Sequence, residues 1–127
     1  MDSVVHFEIP ADDTKRASKF YKDAFGWSME QFPPMEYWMV QTTEVGEDRV
    51  PKKPGSINGG MGKRGGALKS TVVTIAVDDI DKSLAKIEKL GGKTVQKKQP
   101  VGDMGFTAYF KDSEGNVVGL WQNAGSM

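Results

Sequence analysis

The chain has 127 residues, with 17 basic and 17 acidic side chains, one histidine and no cysteine. This length can enclose one domain's core but leaves no room for separate catalytic and cofactor domains. The balanced charge, with Lys52-Lys53, Lys63-Arg64 and Lys97-Lys98 scattered between elements, lacks the concentrated positive face that duplex binding needs, and the missing cysteine excludes disulfides, thiolate catalysis and Cys-ligated zinc.

Val4 to Ile9 alternates, with Val5, Phe7 and Ile9 on one face and His6 and Glu8 on the other, the period of a half-buried strand. Asp12 or Asp13 is placed to cap a helix in which Ala17, Phe20, Tyr21 and Ala24 recur at helical spacing and Gly26 supplies the stop. Short strands are predicted over Trp27 to Phe32, Tyr37 to Thr43 and Ile57 to Met61, with a long polar loop from Glu44 to Ser56. A second series follows: strand Thr71 to Val77, a helix lined by Ile80, Leu84, Ile87 and Leu90 and ended by Gly91-Gly92, then strands Lys93 to Lys98, Phe106 to Lys111 and Val117 to Gln122. Asp112-Ser113-Glu114-Gly115-Asn116 is the turn between the last two. The start of the chain has no basic region leading into an apolar stretch, and no later run is long and apolar enough to span a bilayer, so the expected compartment is the cytoplasm.

The two series are copies of one module. At a constant offset of 66 residues His6 falls over Val72, Ile9 over Ile75 and Asp12-Asp13 over Asp78-Asp79, and each copy then enters a helix. A module this small cannot bury a large core alone, so the copies are expected to pack, with boundaries near 1–66 and 67–127, and the surface between paired modules is the natural place for a pocket.

Several segments resemble the vicinal oxygen chelate superfamily, which holds glyoxalase I, bleomycin-resistance proteins, extradiol dioxygenases and methylmalonyl-CoA epimerase. They are His6-Phe7-Glu8-Ile9-Pro10 leading to Phe20-Tyr21 and Phe25-Gly26-Trp27, Val77-Asp78-Asp79-Ile80 leading to Leu90-Gly91-Gly92, and Asp112 to Asn116 leading to Leu120-Trp121-Gln122. The resemblance implies an α+β fold of two tandem βαβββ modules, a cupped mixed sheet with helices on its outer face, and a ligand and often a divalent metal inside. Fold likeness does not choose among isomerase, lyase, dioxygenase and pure binding functions.

In the metal-dependent members, the resemblance places ligands on the first and last strands of each module. His6 matches one such position. Val72 takes its counterpart, Gly119 stands where a carboxylate would close the second module, and Asn58-Gly59-Gly60-Met61 offers only an amide and a thioether. Zinc sites need three or four protein donors and harder cations several oxygens, so no metal or other cofactor is expected.

His6 and Glu8, two apart on one strand face, are the candidate proton-transfer pair, set against the plainer reading that Glu8 solvates the cup or meets a basic residue. Trp38, Thr74, Tyr109 and Trp121 are the candidate ligand contacts. Trp121 is placed in the cup by the resemblance, while parity leaves open whether Trp38 or Tyr37 and Met39 face inward, and the more polar Thr107, Tyr109 and Lys111 are favoured over Phe106, Ala108 and Phe110. Gly59-Gly60 and Gly65-Gly66 lack the Lys-Ser/Thr ending of a phosphate loop and read as turns. The expectation is a metal-free small-molecule-binding protein of the bleomycin-resistance kind, acting as a homodimer. The alternative is a glyoxalase- or epimerase-like lyase or isomerase using His6 and Glu8 for proton transfer beside a carbonyl, with or without a divalent metal.

Overall fold

The structure, a computed structural model, describes residues 1–48 and 50–125. In chain order the elements are β1 (Val4–Ala11), α1 (Thr14–Phe25), β2 (Ser28–Gln31), β3 (Tyr37–Gln41), β4 (Gly59–Lys63), β5 (Val72–Ala76), α2 (Ile80–Lys89), β6 (Lys93–Val101), β7 (Gly105–Lys111) and β8 (Val117–Asn123). The class is α+β, and the order strand, helix, three strands occurs twice. The chain forms two compact units, His6–Thr71 and, for the second, Met1–Val5 with Val72–Met127. The first residues join the second unit through Ala76, whose backbone N–H donates to the Ser3 carbonyl at 2.9 Å.

In the first unit the strand order is β2-β3-β4-β1, with β1 and β4 parallel and the other pairs antiparallel. The Asp13 carboxylate accepts from the Arg16 backbone N–H at 3.0 Å and so caps α1, which ends at Gly26 in the left-handed conformation, φ 71°. Thr14 and Ser18 are buried on the helix, and Ala17 and Tyr21 pack on a core of Ala11, Met29, Val40 and Met61. Phe7, Ile9, Trp27 and Trp38 complete that layer. Met61 is fully buried, and truncating such a side chain to alanine costs about 2–5 kcal/mol. Because strand side chains alternate, a core on the odd positions of β1 and β4 leaves His6, Glu8, Gly60 and Gly62 on the helix-free face.

The second unit repeats the plan with strand order β5-β8-β7-β6, β5 and β8 being parallel. The Asp79 carboxylate caps α2 by accepting from the Lys82 backbone N–H at 3.0 Å, as the repeat predicts. Ile80, Leu84, Ala108, Phe110 and Leu120 form the core. The turn after β7 is held by the Asp112 carboxylate, which accepts from the backbone N–H groups of Glu114 and Asn116 at 2.8 and 2.9 Å. Those bonds favour the ionised form and pull the Asp112 pKa down.

Strand ends differ from the predicted ones for local reasons. β4 begins at Gly59 instead of Ile57, and β3 stops at Gln41. The Asn58 side-chain oxygen takes the backbone N–H groups of Thr42 and Thr43 at 2.8 and 3.0 Å, and the Thr42 hydroxyl donates to the Ile57 carbonyl, replacing the ladder there. β6 runs on through Pro100 to Val101, which an edge strand tolerates because one row of its N–H groups needs no partner. Two register shifts interrupt its pairing with β7. An isolated bridge joins Val45 to Pro51 within the long loop.

A phenol between an imidazole and a buried carboxylate

On the helix-free face of the first unit, β1 contributes His6 and Glu8, β4 contributes Gly60 and Gly62, and β3 contributes Tyr37 and Met39. Glu8 lies directly opposite Gly60, and Tyr37 opposite Gly62. The Tyr37 ring leans along β4 from Gly62 towards Gly60. A Cβ added at Gly62 would stand 3.3 Å from its Cδ1, and one added at Gly60 would stand 1.7 Å from its hydroxyl oxygen. The missing side chain at position 60 is therefore the seat of the phenol.

From that seat the Tyr37 hydroxyl donates to Glu8 Oε2 at 2.8 Å, and His6 Nε2 lies 3.5 Å from the same hydroxyl. Glu8 is only 7 % exposed, and a carboxylate so placed is costly unless hydrogen-bonded, which the phenol provides. Burial lowers the pKa of His6, and the neighbouring Glu8 carboxylate opposes that shift without overcoming it. Burial thus favours the neutral imidazole, the form able to accept a proton. An imidazole, a phenol and a carboxylate thus sit in series, and Tyr37 is the member that sequence parity left open. Its signal was Gly60: a glycine inside a strand marks a place where a large neighbour lies across the backbone.

In the second unit Thr74, Gly119 and Tyr109 lie in one row across β5, β8 and β7, and Ala76, Trp121 and Thr107 form the next. Ala108 and Phe110 are in the helix-side core, so Thr74, Tyr109 and Trp121 share the helix-free face of this sheet. Thr74 is 4 % exposed. The Trp121 ring covers Gly105, whose added Cβ would lie 2.7 Å from Cζ2, and its Nε1 donates to Asn123 Oδ1 at 2.8 Å.

Trp38 departs from its expected place among the ligand contacts. It has the parity of the buried Val40 and packs on the helix-side core of the first unit, where its Nε1 is buried without a hydrogen-bond partner. The strand's alternation forces the choice: once Val40 enters the core, Trp38 follows and Tyr37 takes the opposite face. A shallow depression lined by Arg16, Lys19, Phe20, Asp23 and Ala24 lies on α1 and includes none of the candidate residues.

The donor set does not fit a metal ion. Among the described residues no group of three or more His, Cys, Asp and Glu side chains is placed to hold one. Val72, the counterpart of His6, is fully buried and apolar, position 60 is filled by the phenol, and an added Cβ at Gly119 would lie 2.8 Å from Thr74 Oγ1.

Two βαβββ modules, each with a helix on one face of a mixed sheet, define the class of α+β repeat to which this fold belongs. Residues 3–43 match the family described as bleomycin resistance protein-like N-terminal. A glyoxylase-like domain-containing protein of Didymella fabae is 32% identical over 125 residues, covering 93% of this chain and 91% of that protein. The glyoxylase-type protein CFP32 of Mycobacterium tuberculosis is 29% identical over 120 residues, which are 91% of this chain and 43% of that protein, so the chain spans less than half of that relative. Among solved structures, a methylmalonyl-CoA epimerase in complex with methylmalonyl-CoA and NH4+ superposes with a TM-score of 0.69 at 14% identity, covering 99% of this chain and 97% of that one. A single-site variant of the Streptomyces coelicolor epimerase, in complex with 2-nitronate-propionyl-CoA, gives 0.65 at 15% identity, covering 95% and 96%. The chain belongs to the vicinal oxygen chelate superfamily, within its glyoxylase-like branch.

Proposed function

We propose that this chain is a small-molecule-binding domain that holds its ligand without a metal ion, using the His6, Tyr37 and Glu8 cluster as its polar handle. The observation that carries the reading is the buried Glu8 carboxylate bonded to the Tyr37 phenol on a sheet face that no helix covers. Burying a carboxylate there adds nothing to the apolar core, whereas convergent polar groups on an otherwise packed scaffold are what ligand sites use. Thr74, Tyr109 and Trp121 are the candidate ligand contacts of the second unit taken by itself, Trp121 offering a ring and Tyr109 a phenol. Support for the ligand class comes from the two epimerase structures described above, both of which hold acyl-CoA compounds.

A thermal-shift screen of carbonyl compounds and acyl-CoA thioesters, run with and without EDTA, tests this reading. A ligand at a hundred times its Kd stabilises by about 2.7 kcal/mol. The expected result is a shift unaffected by chelator and lost in Glu8→Gln. A shift that requires added metal would overturn it.

A second reading, proton transfer beside a carbonyl, is favoured by one observation: His6 stands in series with a phenol and a carboxylate, and burial favours its neutral form. Exchange of the α-proton of a carbonyl ligand in deuterium oxide, lost in His6→Ala, would establish it. Pairing of two chains in the cytoplasm belongs to the same proposal. Its candidate surfaces are the loop from Glu44 to Ser56, where Val45 and Val50 are exposed, and the segment from Gly62 to Leu68. Sedimentation at about twice the 13.9 kDa chain mass is the expected result.

A further inference from the structure

The face that holds the cluster has an unequal distribution of side chains. Glu8 and position 60 are direct neighbours across the parallel β1/β4 pair, and His6 is on the same face one step along β1. A carboxylate at position 60 would join one imidazole and one carboxylate in a three-donor set, the number that catalytic zinc sites draw from protein. Instead position 60 is glycine, and the Tyr37 hydroxyl oxygen lies 1.7 Å from where its Cβ would be. No side chain of any kind fits there while Tyr37 keeps its place.

We infer that Tyr37 is the residue that decides this site's ligand chemistry. Its ring closes the third donor position, and its hydroxyl supplies Glu8 with the hydrogen bond that a bound cation would otherwise replace. This inference rests on the metal-free reading above and gives it a cause. The site therefore handles ligands through hydrogen bonds with the His6 imidazole, the Tyr37 phenol and the Glu8 carboxylate and not through Lewis-acid coordination. Tyr37 acts in two separable ways, the ring by occupying space and the hydroxyl by its bond to Glu8, and two substitutions separate them. Tyr37→Phe keeps the ring and removes only the hydroxyl. Tyr37→Ala opens the space above Gly60.

Cobalt(II) is the probe, because its visible absorption reports coordination directly. The wild type and Tyr37→Phe are expected to show no cobalt band at millimolar metal. The double variant Tyr37→Ala/Gly60→Glu is expected to develop one and to bind at least about tenfold more tightly than the wild type, the gain being lost when His6→Ala is added. Stability provides an independent check should the cobalt-binding variant fold poorly. Gly60→Ala alone is expected to be severely destabilised, and Tyr37→Ala/Gly60→Ala to be more stable than Gly60→Ala, because removing the ring relieves the clash.

A folded double variant that gains no cobalt binding, or a Gly60→Ala defect that Tyr37→Ala does not relieve, would overturn the assignment of Tyr37 alone. A wild type that already binds cobalt stoichiometrically through His6 would overturn the metal-free reading as well.

Discussion

Glu8 and Thr74 occupy the same place in the two repeats: each is buried on the first strand of its module and directly opposite a glycine of a parallel partner, Gly60 for Glu8 and Gly119 for Thr74. The glycines are not interchangeable with alanine. An added Cβ at 119 would stand 2.8 Å from Thr74 Oγ1 and 3.5 Å from its Cβ, and Thr74 is too enclosed to turn away freely. Gly119→Ala is therefore expected to lose about 1–3 kcal/mol in urea unfolding, with much of the loss recovered in Gly119→Ala/Thr74→Ala. Equal losses in the single and double variants would place the strain elsewhere.

Tyr37→Phe removes the hydroxyl that donates to buried Glu8 and leaves the ring across Gly60 and Gly62. The expected cost is about 1–3 kcal/mol, the penalty for withdrawing one partner from a buried polar group. Chemical denaturation at neutral pH measures it, and a loss below a few tenths would mean that the bond is not formed in solution.

Acid should weaken the fold through His6. Burial holds its folded-state pKa below the ordinary 6.5, so below pH 6.5 the unfolded chain binds more protons than the native one. The contribution is complete well above pH 6.5, is lost as pH falls from there through the folded-state pKa, and levels off once the folded-state imidazole is itself protonated. His6 is the chain's one histidine, so its ring resonances need no assignment by mutagenesis. An NMR titration should give a midpoint below 6.5, and His6→Gln should flatten stability against pH over that range.

The tryptophans should respond differently. Trp38 packs in the helix-side core with an unpartnered Nε1, whereas Trp121 lies on the helix-free face with Nε1 bonded to Asn123. Trp38→Phe is expected to change stability by less than about 1.5 kcal/mol, because lost packing is offset by removal of an unsatisfied buried donor. Acyl-CoA thioesters that bind are expected to perturb the fluorescence of a variant retaining only Trp121 and to leave one retaining only Trp38 unchanged. The reverse pattern would place the ligand against the other face.

The sequence by itself determined the architecture, because its local patterns and its repeat agree. Asp13 and Asp79, one offset apart, cap the two helices, Gly26 ends the first in the left-handed conformation, and the alternation in β1 puts His6 and Glu8 on one face and Phe7 and Ile9 on the other. Period and capping are local physics, and a chain met for the first time displays them. That positions 72 and 119 carry a valine and a glycine was equally legible, since residue identity is visible in the letters.

Only the tertiary structure decided which aromatic residue of β3 joins the cluster. Tyr37 and Trp38 are adjacent, both large and amphipathic, and alternation states only that they part company. The choice was made by Val40, drawn into the core with Met29 and Met61, and by the register that sets Tyr37 opposite Gly62 and one step from Gly60. Register depends on contacts between segments distant in sequence, so the bond from Tyr37 to Glu8, 29 residues away, exists only once β1, β4 and β3 lie side by side.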